Sequence, residues 1–170
     1  MTRLLLTSFT TWLPHQKSNS SDDLLAELLQ RNGSIDLHTL RQLPVDFVLA
    51  AQQTIAHIQI LQPQVVVCCG MAESRSKLTV ESQAVQNDCI LKTRFNLPEL
   101  VAELPMTEIS YDAGRFVCNA AYFAVLKYLQ GSPCLGLFVH VPMLTEGNRG
   151  AIATDFETLL QRVLLVGYDR

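Results

Sequence analysis

The chain has 170 residues, 48% of them hydrophobic, with a formal net charge of −3 and a pI of about 5.8. These values fit a single globular domain with a sizeable core, and we expect one domain over residues 1–170. The weakly acidic charge gives no support for nucleic acid or an anionic membrane surface as a partner.

The cysteines number five, an odd count, and no Cys-x-x-Cys pair occurs. This pattern favours a reduced, cytoplasmic protein without a disulfide framework or a zinc site. No apolar run approaches the roughly 20 residues of a membrane helix, and residues 1–12 lack the features of a signal peptide. We therefore expect no membrane partner and no bound metal.

Strands and helices are predicted to alternate along the chain. Short, continuous apolar runs indicate buried strands, and apolar residues spaced three and four apart indicate helices. The predicted strands are residues 4–6, 35–43, 65–69, 78–85, 108–111 and 135–141. The predicted helices are residues 22–31, 44–61, 98–104, 120–129 and 154–166. The first of them has Ser20 or Ser21 as its predicted N-cap and ends at Asn32-Gly33. This order predicts a three-layer α/β/α sandwich around a central, largely parallel (mixed) sheet.

Cys118 is the first candidate for chemistry. It follows Gly114, which suits a turn, and falls in the first turn of the predicted helix. Unpaired backbone N–H groups and the helix dipole at that place favour a thiolate, the nucleophilic form of cysteine. The alternative is a buried cysteine that only packs, because free cysteine is among the most buried residue types.

His140 and Glu81 are candidates because each interrupts an apolar strand. A strand histidine needs partners for its ring nitrogens, and a cysteine on one side with a carboxylate on the other would supply them. That arrangement activates a thiol nucleophile. In the alternative interpretation, His140 is a satisfied core histidine, and Glu81 faces solvent or pairs with Arg75.

The sequence resembles the pyroglutamyl-peptidase I family of cysteine exopeptidases, also called pyrrolidone-carboxylate peptidases. Residues 113–119, AGRFVCN, are similar to the family's A-G-T-F-V-C-N motif, and residues 138–142, FVHVP, to F-I-H-V-P. The segment from Gln64 through Gly70, Arg75 and Thr79 to Glu81 follows P-D-V-V…G…R…T-P-E, and residues 41–44, RQLP, follow R-x-L-P.

This resemblance implies removal of an N-terminal pyroglutamyl group from peptides through a thioester, with no cofactor. Cys118 would be the nucleophile, His140 the base, and Glu81 the carboxylate that orients the histidine. Phe9 and Trp12 would flank the pyrrolidone ring. The resemblance also implies a substrate-binding role for Asn19, which matches a family asparagine after the first loop, and a possible homo-oligomer.

Two departures from the family pattern indicate a shortened member. The family's first loop, G-F-E-P-F-G-G, corresponds here to residues 8–14, SFTTWLP, which lack the glycines, so Phe9 and Trp12 could instead only pack the loop on the core. Leu91 or Lys92 occupies the region where the family has an arginine near the reacting carbonyl. The long segment that the family has between this arginine and the next helix is largely absent. We expect a slower enzyme with a more open site. The alternatives are an amidase for another lactam or acyl amide, and a catalytically weak homologue with a binding or structural role.

Overall fold

The computed structural model describes residues 3–31 and 37–168, with strands and helices in alternation. The strands are β1 (Leu4–Phe9), β2 (Leu37–Leu43), β3 (Val65–Met71), β4 (Leu78–Glu81), β5 (Gln83–Gln86), β6 (Cys89–Lys92), β7 (Thr107–Ser110) and β8 (Leu135–Val141). The helices are α1 (Ser20–Arg31), α2 (Leu49–Leu61), α3 (Leu97–Val101), α4 (Val117–Tyr128) and α5 (Arg149–Tyr168).

The central sheet has six strands in the order β2-β1-β3-β8-β4-β7. The first four run parallel to one another, whereas β4 is antiparallel to β8 and β7 is parallel to β4. One face packs on α1, α3 and α5, and the other packs on α2 and α4. The predicted three-layer α/β/α fold with a mixed, largely parallel sheet is therefore confirmed.

The completely buried strands β3 and β8 match their predicted positions closely, because both faces of these central strands are covered. Strand β1 continues beyond the predicted residues 4–6 as far as Phe9, which places Phe9 at the carboxyl edge of the sheet. The described part of the second strand begins at Leu37, and the predicted Asn32-Gly33 helix end lies outside the described residues.

Among the helix boundaries that differ from the prediction, two have a local hydrogen-bonding reason. Helix α2 begins at Leu49 rather than residue 44, because the Asp46 carboxylate accepts hydrogen bonds from Val48 N (2.9 Å) and Leu49 N (2.8 Å) and closes a turn first. The cap of α1 is Asn19 rather than Ser20 or Ser21, since Asn19 Oδ1 accepts from Ser21 N at 3.0 Å. Helix α5 begins at Arg149 rather than residue 154.

The predicted single strand over residues 78–85 is two strands. Strand β4 ends at Glu81, and β5 leaves the central sheet to form an antiparallel hairpin with β6, which the sequence analysis missed. Asn87 and Asp88 make its turn, and Asn87 has a positive φ of 52°. The Asn119 side chain in α4 fixes this hairpin through Val85 N (2.9 Å) and Val85 O (2.7 Å).

Among residues 3–31 and 37–168, no helix is both long and apolar enough to cross a membrane. The same described residues contain no cluster of three or more histidine, cysteine or acidic side chains that could hold a metal ion.

Candidate active site

A cavity of about 100 Å³ lies at the carboxyl edge of the parallel strands, against the first turn of α4. Of the six site residues predicted from the sequence, all except Glu81 line it. The complete lining is Phe9, Trp12, Asn19, Val45, Met71, Ala113, Phe116, Val117, Cys118 and His140. The fold therefore brings both candidate reacting side chains and all three candidate substrate contacts to one place.

Glu81 lies behind the cavity, on the ring of His140. In the antiparallel pairing of β4 with β8, Thr79 is opposite His140 and Glu81 is opposite Phe138, so Glu81 reaches the histidine diagonally on the same face. His140 Nδ1 and Glu81 Oε1 are 2.7 Å apart, and both side chains are buried. With Nδ1–H donating to the carboxylate, Nε2 is the ring nitrogen that can exchange a proton.

Two further side chains contact the same Glu81 oxygen. Thr79 Oγ1 donates to Oε1 at 3.2 Å, and Arg75 Nη2 lies 3.4 Å from it. Arg75 also donates to the Asp112 carbonyl at 2.8 Å. The possible pairing of Glu81 with Arg75 therefore exists together with the His140 contact and does not replace it. These groups compensate one oxygen of a buried carboxylate that would otherwise be costly, whereas Oε2 has no hydrogen-bond partner among the described residues.

Cys118 lies in the first turn of α4, as predicted. Phe116, the N-cap residue, makes no side-chain cap hydrogen bond, so the first backbone N–H groups of the helix are not capped by it. Burial nevertheless raises the pKa of the Cys118 thiol to about 12, and the nearby Cys68 and Glu81 add to the rise. The direction is opposite to the one expected for a helix start, because desolvation exceeds the lowering that the backbone hydrogen bond at Cys118 provides.

Gly70 positions the Cys118 sulfur, a role that its place in the matched Gln64–Gly70 segment did not reveal. It is opposite His140 in the register of β3 and β8. A Cβ atom placed on Gly70 would lie 2.6 Å from Cys118 Sγ, closer than any normal contact. The absent side chain thus creates the space in which the sulfur sits, beside the strand that carries His140.

Aromatic rings form one wall of the cavity. Phe9 is buried, and Trp12 packs against Phe116 with ring centroids 6.2 Å apart. Phe47 meets the other side of Phe116 edge-on at 5.6 Å and an interplanar angle of 89°. Phe9 and Trp12 are among the site residues predicted from the sequence, whereas Phe116 was missed, although its position two residues before Cys118 was the available signal.

Asn19 lines the cavity, but its polar atoms already have partners. Its Nδ2 donates to Thr10 O at 3.0 Å, and Oδ1 accepts from the backbone N and the hydroxyl of Ser21 at 3.0 and 2.7 Å. Asn19 thereby joins the loop after β1 to the start of α1.

Leu91 and Lys92 lie away from the cavity, on strand β6. They line a separate surface groove with Leu126, Leu129 and Gly136, and neither belongs to the lining of the Cys118 cavity. The position predicted to correspond to the family arginine therefore contributes no side chain to the cavity.

Comparison with known proteins supports the motif-based resemblance. No protein-family model matches the chain. It is 26% identical over 171 residues to the pyrrolidone-carboxylate peptidase of Gloeobacter violaceus, an alignment that covers 85% of this chain and 83% of that protein. It superposes on pyroglutamyl peptidase I of Bacillus amyloliquefaciens with a TM-score of 0.80 at 19% identity, covering 94% and 95% of the two chains.

A second solved structure gives the same result. The pyrrolidone carboxyl peptidase of Thermococcus litoralis superposes with a TM-score of 0.78 at 21% identity, covering 100% of this chain and 97% of that one. The predicted resemblance to the pyroglutamyl-peptidase I family is thus confirmed: the chain has that fold, and its sequence is similar over most of its length to a pyrrolidone-carboxylate peptidase.

Proposed function

We propose that this protein is a cysteine exopeptidase that removes pyroglutamate from the N-terminus of peptides, with Cys118 as nucleophile, His140 as general base and Glu81 as the residue that orients His140. The observation that carries the proposal is the 2.7 Å contact between His140 Nδ1 and Glu81 Oε1, directly behind a cavity that Cys118 and His140 both line. The similarity to pyrrolidone-carboxylate peptidases supports the substrate class.

The first half of the reaction forms a thioester. His140 Nε2 takes the proton from Cys118 Sγ, and the thiolate attacks the carbonyl carbon that joins the pyroglutamyl group to the next residue. His140 then gives this proton to the leaving nitrogen, the C–N bond breaks, and the peptide departs with a free amine. Glu81 keeps the histidine in the required tautomer and stabilises its charged form.

The second half hydrolyses the thioester. His140 takes a proton from water, the hydroxide attacks the thioester carbon, and the C–S bond breaks. The thiolate recovers the proton from His140, and pyroglutamate leaves the cavity. No metal or cofactor takes part in this sequence of steps.

The raised pKa of Cys118 gives His140 a specific task. A thiol with a pKa of about 12 is almost fully protonated near neutral pH, so the nucleophile must form by proton transfer within the site. The backbone N–H groups in the first turn of α4 are the proposed donors to the oxyanion, because Phe116 does not cap them with its side chain.

The lining of the cavity suits a small, neutral ring. The lining offers flat apolar contact from Phe9, Trp12 and Phe116. The polar atoms of Asn19 are already hydrogen-bonded to Thr10 and Ser21. With Leu91 and Lys92 on a separate groove, oxyanion stabilisation relies on the backbone near Cys118. Loss of a single oxyanion donor costs a factor of roughly 10²–10³ in kcat. We therefore propose a slow enzyme that tolerates bulky groups after the pyroglutamate.

The proposal is tested by steady-state hydrolysis of a pyroglutamyl amide, with acetyl and prolyl amides of the same leaving group as controls. Turnover of the pyroglutamyl amide alone is the expected result. Preferential turnover of another amide would favour an amidase for a different lactam or acyl group. No turnover from folded protein whose Cys118 alkylates slowly would favour a binding or structural homologue.

Two further features are part of the proposal. The five cysteines are free, which fits a reducing compartment, and we infer a cytoplasmic location. Homo-oligomerisation is inferred from the family resemblance alone, and light scattering of the purified protein will test it.

A further inference from the structure

The loop after β1, here called the first loop (residues 10–19), is held by hydrogen bonds from one of its own side chains. The side-chain oxygen of Gln16 accepts hydrogen bonds from the backbone N–H of Trp12 at 2.9 Å and of Leu13 at 3.2 Å. Gln16 N also donates to Leu13 O at 3.1 Å. One side chain thus fixes the backbone on which the Trp12 ring is mounted.

Gln16 is in turn held by the β3–β4 loop (residues 72–77). Its Nε2 donates to Glu73 Oε1 at 2.7 Å, and His15 Nε2 lies 3.1 Å from the same oxygen. Glu73 therefore contacts two neighbouring side chains of the first loop, which lie 57 and 58 residues earlier in the sequence. Both contacts of Glu73 are exposed, and the His15 contact contributes little alone, but the Gln16 side chain links Glu73 to the Trp12 backbone.

The β3–β4 loop also reaches the candidate catalytic carboxylate. Met71, just before the loop, lines the cavity. Arg75, within the loop, lies 3.4 Å from Glu81 Oε1, and Arg75 N donates to Ala72 O at 3.1 Å. The same short segment therefore contacts the Gln16 side chain through Glu73 and the His140–Glu81 pair through Arg75.

We propose that Gln16 and Glu73 are positioning residues that hold the Trp12 ring as a wall of the Cys118 cavity and so determine substrate specificity. Neither side chain lines the cavity. Their effect passes through the Trp12 backbone and the contact of the Trp12 ring with Phe116. The specificity part rests on the proposed function, whereas the positioning of Trp12 does not.

Trp12 is the single tryptophan of the sequence, so its fluorescence reports the first loop without any assay of activity. The test compares the emission maximum and the acrylamide quenching constant of Gln16→Ala and Glu73→Ala with those of the original protein. Both variants are expected to shift the emission to the red and raise the quenching constant. Glu73→Gln keeps an acceptor for Gln16 Nε2 and should remain close to the original values.

Matched controls come from the same loops. Lys17→Ala and Ser74→Ala remove exposed neighbours and should leave both fluorescence values unchanged. Far-UV circular dichroism and the thermal midpoint of each variant separate a local opening of the first loop from general unfolding. Unchanged quenching in folded Gln16→Ala and Glu73→Ala would overturn the positioning role, whether or not the protein hydrolyses a pyroglutamyl amide.

Kinetics test the specificity part. Because Trp12 binds rather than reacts, KM for a pyroglutamyl amide should rise about fivefold in Gln16→Ala, the equivalent of one typical hydrogen bond, with kcat nearly unchanged. The Lys17→Ala control should keep both constants. Raised quenching combined with an unchanged KM in an active protein would overturn the role in specificity.

Discussion

Gly70 lies against the sulfur of Cys118, with no room for a side chain between them. A Cβ at residue 70 would lie 2.6 Å from Sγ and 3.0 Å from the Phe138 ring. We expect Gly70→Ala to displace the sulfur, to abolish most pyroglutamyl-amide turnover, and to reduce the free energy of unfolding by about 1–3 kcal/mol through overpacking.

Gly150→Ala is the matched control for this substitution. A Cβ at Gly150 in α5 meets no atom within 4 Å, so this variant should keep full activity and equal or slightly higher stability. Urea unfolding and steady-state kinetics of the two variants provide the measurement. An active Gly70→Ala protein would show that the sulfur has another productive position.

Cys118→Ala should abolish turnover, and His140→Ala should reduce it almost as far. The two side chains act in the same proton transfer, so the double variant should be no worse than the single variants. Single-turnover assays on all three proteins, with circular dichroism to verify folding, provide the comparison. Full activity in Cys118→Ala would reject the nucleophile assignment.

Glu81→Gln should be less severe than loss of Cys118 or His140. The amide retains the shape of the buried side chain but no longer fixes the His140 tautomer or stabilises its charged form, and we expect kcat to fall by about 10²–10⁴. Thr79→Val is a useful comparison, because it removes only the 3.2 Å hydrogen bond from Thr79 to Glu81 Oε1. If Glu81→Gln retained the original kcat, the orienting role of Glu81 would be wrong.

Alkylation of Cys118 should depend on His140. With its pKa raised to about 12, the Cys118 thiol holds almost no standing thiolate near pH 7, so its proton must pass to a base as the sulfur attacks. We expect iodoacetamide to label Cys118 faster at neutral pH in the original protein than in His140→Ala, because His140 is the base that takes this proton.

Cys89, exposed in the β5–β6 hairpin, provides an internal reference in the same experiment, whereas Cys68, Cys69 and Cys134 are buried. Peptide mass spectrometry resolves each site. Equal labelling rates of Cys118 in the two proteins would contradict proton transfer to His140.

Asp22 should contribute to stability in a pH-dependent manner. Burial opposes its ionisation, but hydrogen bonds from Arg41, Ser8 and Gln42 outweigh burial and hold the pKa of Asp22 below its usual value of 3.8. A depressed folded-state pKa gives stabilisation that is present above the unfolded-state value and is lost as the pH falls through the folded-state value.

We therefore expect Asp22→Asn to lower the free energy of unfolding by about 1–2 kcal/mol at pH 7, a value reduced because Arg41 is partly exposed. The difference should shrink below about pH 4. Urea unfolding at pH 7, 5 and 3, with Asp88→Asn in the exposed hairpin turn as control, measures it. A difference that grew on acidification would contradict the sign.

The sequence alone determined the layered fold and the identity of the candidate reacting residues. Buried strands such as β3 and β8 are continuous apolar runs, and Cys118 and His140 stand in local motifs with their immediate neighbours. Such features are local, because the side chains that define a strand or a helix start are adjacent in sequence. The β5–β6 hairpin was missed because its alternation is short and half exposed.

The tertiary structure decided which groups meet and in what electrostatic environment. The antiparallel direction of β4 puts Glu81 on His140, Gly70 makes room for the Cys118 sulfur, and Glu73 reaches Gln16 across 57 residues of sequence. The pKa of the Cys118 thiol is raised, although its place at the helix start suggested a lowered value. Desolvation depends on all the atoms packed around the sulfur, and the sequence shows only the position of Cys118 at the helix start.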